Sequence, residues 1–598
     1  MCGIVAHHGL VPALPALLDG LGRLEYRGYD SVGVALDPGD GGPPSVHRTA
    51  GRLPALVAAL PADVHGATTG IGHTRWATHG APVAANAHPH RDCSGRVALV
   101  HNGTIEDASR LRAELAVRGH GIVTEVDSEL VAHRIEDALP AVPDLDAVVR
   151  AVAQAVDGLR GAWALAVLVA GVDGVVLARR SSPLLVGAGT DRHMAASDEL
   201  GLGPEVTEAR EVPDGHLVAL ADEVRWFDAQ ARPVPAPGAW SLGARSTAVD
   251  RGSAPDFTAK EIDEQPAATR RLLDGLLGRL HGGRLLGDLG LGTPERVRLV
   301  ACGTSGHAAE VTARVLAVEG GIPARVVTAS EPDLAVPEPG TLTVALSQSG
   351  ETADVLAALD RWGDPVLAIT NAPRSSLARR ADAVLGLGCG PEVGVAATKT
   401  FTSQVVAGVA VALAVGARAG AVSASRLAQL ESVLDGLPAR LATTASLAAA
   451  PAAALADELA DEPGVVFVSR GAGVPYAREG ALKLEELTYR RVQAVPAGEL
   501  KHGPIALLGP GTPVVVVNAE PRGRLAVGVS EITARGARAV LVGASEDATL
   551  PISSPAEEPP WGPLEAAVAL QLFAREMTVR LGHEVDRPRN LAKSVTVE

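Results

Sequence analysis

The second residue of the chain, Cys2, could act as a nucleophile. If Met1 is removed, Cys2 carries both a thiol and a free α-amine. An α-amine has an ordinary pKa of about 8, so part of it is neutral near pH 7 and can accept the thiol proton. The alternative is that position 2 is an ordinary chain end without a function. Cys2 therefore predicts a self-activated nucleophile only if other residues support it.

A second group of reactive side chains lies in the last third. Glu479, Lys483 and Glu486 are spaced i, i+4 and i+7, and therefore share one face of a predicted helix. Carboxylates can move protons, and a lysine amine can condense with a carbonyl. The alternative is a solvated stripe of ion pairs. His502 follows in a Gly/Pro-rich loop and Lys593 lies in a tail without periodicity, so neither indicates chemistry alone.

Two clusters of hydroxyl side chains follow apolar runs. Thr304 and Ser305 come after Val297–Ala301, and the second cluster comes after Leu342–Leu346. That second cluster reads Ser347-Gln348-Ser349-Gly350-Glu351-Thr352. Hydroxyls and backbone amides at helix N-termini bind anions, although ordinary helix capping uses the same residues. Two such clusters on strands of one sheet favour phosphate binding.

The elements that must position these residues repeat. Apolar strands alternate with helices from Val297 onward, and the pattern begins again at Gly464. Continuous apolar strands between helices predict two parallel, helix-covered α/β domains, which bind ligands outside the carboxyl ends of their strands. In the second copy the corresponding turn, Asn518-Ala519-Glu520-Pro521, lacks a hydroxyl pair, so we expect no equivalent phosphate site there.

The first third alternates short strands with helices, and polar clusters stand at their ends. These clusters are Gly72–Gly80, His101–Thr104 and Thr124–Ser128. Each could be structural, since Asn102-Gly103 is typical of a tight turn and Asp127 or Ser128 could be a helix N-cap.

Composition limits the class of protein. The 598 residues predict about three or four domains, and a net charge of −16 argues against nucleic-acid binding. The four cysteines show neither disulfide nor metal-ligand spacing, and no secretory signal is visible, which favours a cytoplasmic protein. The apolar run Val405–Val415 is too short to span a bilayer and predicts a buried helix.

The first-third motifs together resemble the class II, N-terminal-nucleophile glutamine amidotransferase family over residues 2–235. They are Met1-Cys2-Gly3-Ile4, Tyr26–Ser31, Gly72–Gly80, Asn86–His90 and His101–Gly103. The resemblance implies an αββα fold and L-glutamine as substrate. It implies that Cys2 attacks the glutamine amide while Asn102 and the Gly103 amide form the oxyanion hole. It implies that Arg75 binds the carboxylate of glutamine, that Asp127 binds its amine, and that Trp76 gates the passage of ammonia. Trp76, Thr78 and His79 are also expected to bind glutamine. This chain departs from the family at Thr104 and at Glu125-Val126.

The repeated part resembles the sugar isomerase (SIS) family, whose αβα sandwiches we expect at residues 281–425 and 455–588. We expect a linker and a helical entry segment at residues 236–280, and a catalytic tail at residues 589–598. With Gly390–Lys399 and Lys593–Glu598, the whole chain resembles the family of isomerising glutamine–fructose-6-phosphate aminotransferases. The resemblance implies glucosamine 6-phosphate synthesis from glutamine and fructose 6-phosphate, the first step towards UDP-N-acetylglucosamine. It implies a homodimer that needs no metal, pyridoxal phosphate or other cofactor.

The same resemblance implies roles at the sugar site. Lys593 forms a Schiff base with the ketone, and His502 of the neighbouring subunit assists ring opening. Glu486 moves a proton between C1 and C2, with Lys483 nearby. The residues expected to hold the sugar phosphate are Thr304, Ser305, Ser347, Gln348, Ser349, Thr352, Val395 and Ala592.

Two alternatives stay open. Ala397 stands where the family usually has serine, which leaves room for a paralogue acting on another keto-sugar phosphate. A non-catalytic SIS sensor is the other alternative, but a sensor would not need Cys2, Glu486 and Lys593 together.

Overall fold

Two compact units make up the protein, Met1–Asp250 with Ala592–Glu598, and Arg251–Leu591. The computed structural model describes residues 2–61, 64, 66–77, 79–242, 250–517 and 524–595.

The first unit is built mainly from antiparallel strands. Its strands are β1 (Gly3–Gly9), β2 (Ser31–Leu36), β3 (Ser45–Ala50), β4 (Thr69–Arg75), β5 (His90–Arg91), β6 (Val97–Ile105), β7 (Gly161–Val169), β8 (Val175–Arg180), β9 (Leu185–Ala188), β10 (Arg192–Ala196), β11 (Glu208–Glu211), β12 (Leu217–Leu220), β13 (Arg225–Phe227), β14 (Pro233–Val234) and β15 (Trp240–Ser241). Its helices are α1 (Ala13–Leu24), α2 (Leu53–Ala59), α3 (Ala108–Val117), α4 (Ser128–Ala138) and α5 (Leu145–Val156).

These elements form four layers. One sheet has the order β15-β11-β9-β10-β1-β4-β2-β3 and the other β14-β13-β12-β8-β7-β6-β5. Because side chains alternate along a strand, Ile4 of β1 faces the other sheet and packs in one core with Val100 of β6. Val5 points the opposite way and packs with Leu21 of α1. The second sheet buries its outer face against α3, α4 and α5. The predicted αββα arrangement is confirmed.

Strand pairing in the first unit gathers the residues of interest. Gly3 lies opposite Thr74 in the β1–β4 pair, so the chain leaving β4 at Arg75 runs beside Cys2. Strand β6 of the facing sheet carries Asn102.

The second unit alternates strands with helices. Its strands are β16 (Arg296–Ala301), β17 (Ala324–Thr328), β18 (Thr341–Leu346), β19 (Val366–Thr370), β20 (Ala383–Gly386), β21 (Gly464–Ser469), β22 (Arg491–Pro496), β23 (Pro513–Val517), β24 (Arg538–Gly543) and β25 (Leu550–Pro551). Its helices are α6 (Phe257–Asp263), α7 (Gln265–Leu276), α8 (Arg284–Asp288), α9 (Gly303–Val318), α10 (Ala353–Leu359), α11 (Ser376–Arg380), α12 (Lys399–Arg418), α13 (Ala424–Asp435), α14 (Leu437–Glu458), α15 (Val474–Thr488), α16 (Arg524–Thr533) and α17 (Glu565–Arg580).

The two sheets of the second unit have the same topology. Their orders are β17-β16-β18-β19-β20 and β22-β21-β23-β24-β25, and every pair is parallel. Strand order reverses between β16 and β18, and again between β21 and β23. In open α/β sheets the crevice at such a reversal, at the carboxyl ends of the strands, is where ligands bind. The predicted pair of parallel α/β domains is confirmed.

Helix α12 lies in the core of the second unit. It is long and apolar enough to cross a membrane by length and composition, but almost all of its apolar window is buried in the protein. It packs in a core that also contains residues of both parallel sheets, such as Leu299 and Phe467. Its apolar character is therefore explained by burial, as the run Val405–Val415 predicts.

Candidate active site

The thiol of Cys2 is held by the chain that leaves β4. The Cys2 Sγ atom accepts a hydrogen bond from the Trp76 backbone N–H at 3.3 Å and lies 3.5 Å from the Trp76 carbonyl. Burial raises the pKa of this thiol, and the Trp76 backbone and Arg75 oppose that shift. A thiol with a raised pKa depends on a nearby base for activation, which the α-amine of a processed Cys2 would supply.

The side-chain amide of Asn102 is oriented towards Cys2. Its Nδ2 atom donates to the Cys2 carbonyl at 3.1 Å, while its Oδ1 atom lies 3.1 Å from His73 Nε2. The same His73 nitrogen lies 2.9 Å from the His101 carbonyl. Both partners of His73 Nε2 are acceptors, so this nitrogen carries the proton, and Asn102 is fixed with its N–H groups on the Cys2 side. Burial lowers the pKa of His73 to about 3, which keeps the imidazole neutral.

Asn102 and Gly103 are not a tight turn. Both lie inside β6, paired with Ala164 and Trp163 of β7. Gly103 has φ +124°, and a Cβ atom there would lie 1.9 Å from the Ala162 carbonyl oxygen. Only glycine fits this position. The turn alternative for the Asn-Gly pair is therefore wrong.

Arg75 lies at the end of β4 and is almost fully buried. Its guanidinium donates to the carbonyls of His79 and, at 3.5 Å, Ala81. Asp30 holds the intervening loop by accepting the Ala77 N–H at 2.8 Å. The loop is thus wrapped around a buried cation, which provides positive charge beside the thiol for an anionic substrate group.

Asp127 is buried at the N-terminus of α4 without capping it through its side chain. Its Oδ2 atom instead accepts the Ile105 N–H at the end of β6, at 2.9 Å. The carboxylate is therefore tied to the strand that carries Asn102, and Asp127 occupies the N-cap position of α4 without a side-chain capping bond.

Trp76 and His79, also predicted to bind glutamine, lie in this loop. Trp76 is half-buried, with its ring edge-on to Tyr29 at 5.9 Å between centroids. His79 is also half-buried. Thr78 lies outside the described residues.

In the second unit the hydroxyl clusters flank the crevice between β16 and β18. Thr304 and Ser305 lie in the first turn of α9, directly after β16. After β18, Ser347 Oγ lies 2.9 Å from Thr352 Oγ1 and accepts the Gly350 N–H at 3.0 Å. Gly350 has φ +63°, and a Cβ atom there would lie 1.9 Å from Ser375 Oγ. The second cluster is therefore a closed turn of hydroxyls and amides.

Helix α15 carries the predicted charged face, and this face is not solvated. Glu479 and Lys483 are buried, and Glu486 is half-buried. Lys483 Nζ lies 2.6 Å from Glu486 and 3.6 Å from Glu479. Burial acts to lower the pKa of Lys483, but the two carboxylates outweigh it and raise the pKa above its usual value. The ammonium form is thus stabilised between two carboxylates.

Glu479 joins this charged face to the first hydroxyl cluster. Its carboxylate accepts from Thr304 Oγ1 at 3.1 Å and lies 2.7 Å from His307 Nδ1. Burial acts to raise the pKa of Glu479, but Lys483 and His307 hold it below its usual value. Thr304, predicted to face the sugar phosphate, therefore has its hydroxyl directed to Glu479.

The remaining predicted residues are more scattered. His502 is exposed at the end of a 3₁₀ turn, Glu499–His502. Val395 is half-buried, and its N–H donates to the Asp586 carbonyl at 2.9 Å. Ala592 and Lys593 belong to the first unit and are half-buried. The turn Asn518–Pro521 lies outside the described residues.

Two residues of these networks were missed in the sequence. His73 sits in the Gly72–Gly80 motif, where its spacing from Arg75 on one strand, i and i+2, signals a shared face. His307 lies three residues after Thr304 in the first turns of α9, the spacing of helical neighbours.

Comparisons with known proteins cover the whole chain. A family model described as a glutamine amidotransferase domain matches residues 73–201, and one described as a SIS domain matches residues 291–414 and 458–577. The chain is 42% identical to a glutamine–fructose-6-phosphate aminotransferase (isomerizing) of Streptomyces coelicolor, over all of both chains. It is 40% identical to the proteins of that name from Caulobacter vibrioides and Halobacterium salinarum, again over all of both chains.

One solved structure resembles the second part of the chain. It is the C-terminal domain of the glucosamine-fructose-6-phosphate aminotransferase of Francisella tularensis, with a TM-score of 0.52 and 28% identity. The match covers 57% of this chain and all of that domain.

Proposed function

The chain belongs to the glutamine–fructose-6-phosphate aminotransferase (isomerizing) family, and we propose that it converts glutamine and fructose 6-phosphate into glucosamine 6-phosphate and glutamate. The observation that carries the proposal is the pairing of two different networks in one chain. One is a thiol beside an oriented amide, and the other is a buried Lys–Glu face bonded to Thr304 of the first hydroxyl cluster.

The first unit would release ammonia. Cys2 attacks the side-chain amide of glutamine, its thiol proton passing to the α-amine, and the amide nitrogen leaves as ammonia. Asn102 and the Gly103 N–H stabilise the oxyanion of the intermediate, and water then cleaves the thioester to give glutamate. The buried charge of Arg75 suits the glutamine carboxylate, and the Asp127 carboxylate suits the glutamine amine.

The sugar would be rearranged by residues of the second unit together with Lys593. The hydroxyl turn Ser347–Thr352 suits a phosphate group, because its serine and threonine hydroxyls can donate to phosphate oxygens while the Gly350 and Glu351 N–H groups hold the turn closed. The ketone condenses with Lys593, ammonia displaces that lysine, and Glu486 moves a proton from C1 to C2, which completes the change from ketose to aldose. Lys483 holds the Glu486 carboxylate in place through their 2.6 Å contact.

The identity of the sugar that accepts the amino group is tested by measuring hexosamine formation from glutamine with each of a panel of ketose phosphates. We expect turnover with fructose 6-phosphate. Turnover of a different ketose phosphate with none on fructose 6-phosphate would refute the substrate and favour the paralogue. Failure of every ketose, with sugar phosphate still bound, would favour the sensor.

The separation of the two reactions is tested with variants. Cys2→Ala should abolish glutamine-dependent synthesis and spare sugar-phosphate isomerisation, and loss of both would contradict two separable sites. Lys593→Ala should abolish borohydride trapping of the sugar, whereas Lys260→Ala, a control on α6, should not. Trapping that persists in Lys593→Ala would place the Schiff base elsewhere.

We also propose that the enzyme works as a homodimer in the cytoplasm. His502 is exposed, which suits a residue that completes the site of a second subunit, and the four cysteines are free thiols. If His502 acts across the dimer, mixing inactive His502→Ala and Lys593→Ala chains should restore activity. No restoration after subunit exchange would contradict the shared site.

A further inference from the structure

Four side chains of the first unit converge at a place that the glutaminase reaction does not use. Cys93 follows β5, His120 follows α3, and His133 and Glu136 lie one turn apart on α4. Their nearest ligand atoms, one from each residue, all lie within 4.8 Å of one another. Cys93 is exposed, His133 is buried, and the other two are half-buried, so the cluster lies just beneath the surface.

Four of the ligand–ligand distances match those expected around a tetrahedral zinc ion. Zn–S and Zn–N bonds of about 2.3 and 2.0–2.1 Å place sulfur and nitrogen ligands about 3.5 Å apart, and nitrogen and oxygen ligands about 3.4 Å apart. Cys93 Sγ lies 3.6 Å from His120 Nδ1 and 3.4 Å from His133 Nδ1. Glu136 Oε2 lies 3.2 Å from His120 Nδ1 and 3.4 Å from His133 Nδ1. Four of the six ligand–ligand distances therefore agree with tetrahedral coordination within 0.2 Å, and the other two are no longer than 4.8 Å.

The outer nitrogen of His120 is hydrogen-bonded to a carboxylate. His120 Nε2 lies 2.9 Å from Asp137, which is the carboxylate–histidine arrangement that orients ligating histidines in metal sites. His133 Nε2 lies 3.7 Å from Glu129, beyond hydrogen-bond distance. Glu129 is itself fixed, because it accepts from the Thr124 N–H at 2.7 Å.

The sulfur has a supporting donor of its own. The Gly121 N–H, next to His120, donates to Cys93 Sγ at 3.3 Å. A backbone donor stabilises the thiolate form that a metal requires.

We propose that Cys93, His120, His133 and Glu136 bind a structural zinc ion. One thiolate and one carboxylate balance its charge, and four protein ligands leave no open position for a substrate, which is the pattern of structural sites. The ion joins the segment after β5, the end of α3 and the middle of α4. It thereby anchors the helix whose N-terminus carries Asp127, without touching Cys2.

The sequence does not signal this site by spacing. Its ligands come from three separate elements, and only the His133–Glu136 pair is local. The sequence analysis looked for metal-ligand spacing among the four cysteines only. In this site a single cysteine is joined by histidines and a glutamate that lie farther along the chain.

The proposal is tested by the metal content of the full-length protein after expression with zinc. We expect about one zinc per chain in the wild type and in Cys2→Ala, and its loss in Cys93→Ser and in His120→Gln. Cys302→Ser, a cysteine of the second unit, should keep the zinc. His120→Cys should also keep it, because cysteine can replace the lost ligand, whereas a simple folding defect would not be rescued.

Two further readouts separate coordination from folding. Cobalt substitution should give a thiolate-to-cobalt charge-transfer band that Cys93→Ser loses and Cys302→Ser retains. A chelator should lower the melting temperature of the wild type but not that of Cys93→Ser. A wild type that binds no zinc, or equal zinc in all the variants, would overturn the proposal and leave a hydrogen-bonded cluster.

Discussion

Four histidines should make the first unit sensitive to acid. His73, His88, His90 and His101 are all buried, with exposed fractions of 0 to 4%. Burial lowers the pKa of each, that of His73 to about 3. Their rings lie close together, with 4.0 Å between the centroids of His73 and His88 and 4.5 Å between those of His88 and His90. A proton on one ring would therefore also repel a proton on the next.

The magnitude follows from proton linkage. A histidine with a lowered folded pKa is neutral when folded, so its contribution to stability is complete above the unfolded pKa of 6.5 and is lost as pH falls towards the folded pKa. In that range each such histidine reduces the free energy of unfolding by about 1.4 kcal/mol per pH unit. His73, His88 and His90, whose folded pKa values lie well below 6.5, together give up to roughly 4 kcal/mol per pH unit, against a total stability of about 5–15 kcal/mol for a typical domain. We expect the first unit to lose stability steeply as pH falls below 6.5.

Hydrogen exchange can measure this unit separately from the rest of the chain. The full protein is unfolded in urea at pH 7.5, 6.5 and 5.5, and hydrogen exchange is followed in peptides of β4 and β6. These data give the slope of the free energy of unfolding of the first unit against pH. His90→Phe should reduce this slope by the contribution of about one proton, because one titrating group is removed. Neither ring nitrogen of His90 is hydrogen-bonded among the described residues, so phenylalanine keeps the ring without losing a hydrogen bond. His281→Phe, in the second unit, should not change the slope. Stability that is constant or rises towards pH 5.5, or equal slopes in wild type and His90→Phe, would refute the argument.

Three other substitutions test single contacts. Asn102→Ala should lower the glutaminase kcat by about 10²–10³ and leave sugar isomerisation unchanged, and a loss below tenfold would deny Asn102 the oxyanion role. Lys483→Met should destabilise the second unit by about 3 kcal/mol in urea unfolding, because Glu479 and Glu486 lose their shared counter-charge; unchanged stability would contradict a buried ion network. Gly350→Ala should raise the KM for fructose 6-phosphate and leave the KM for glutamine unchanged, since its φ and the contact with Ser375 force the turn to move; an unchanged sugar KM would separate this turn from phosphate binding.

The parallel sheets were the most predictable part of the fold. The runs Val297–Ala301 and Leu342–Leu346 each fall one residue short of a strand, β16 and β18 respectively. Strands covered on both faces must be apolar throughout, so their pattern is visible without context. The last strands of the first unit were less predictable. β14 and β15 are two residues each and too short to show a period, and β15 lies inside the predicted linker at residues 236–280.

The site was predictable where a motif names the residue and less so where function depends on orientation. Asn102 was expected at the oxyanion, but only the structure places His73 behind its carbonyl oxygen. Thr304 was expected to face phosphate, yet its hydroxyl donates to Glu479, which lies on a helix far along the chain. Sequence spacing cannot reveal such a bond, because the partner is set by how α9 packs against α15.

The charges around Lys483 bear on the identity of the Schiff-base lysine. A lysine must lose its proton before it can attack a ketone, and catalytic lysines are usually activated by an environment that lowers their pKa. Lys483 is in the opposite situation, since Glu486 and Glu479 raise its pKa and stabilise the ammonium. It is suited to holding a carboxylate and to balancing negative charge, not to condensing with the sugar. If the sugar forms a Schiff base, its amine must then come from outside this ion network, as the proposed role of Lys593 requires.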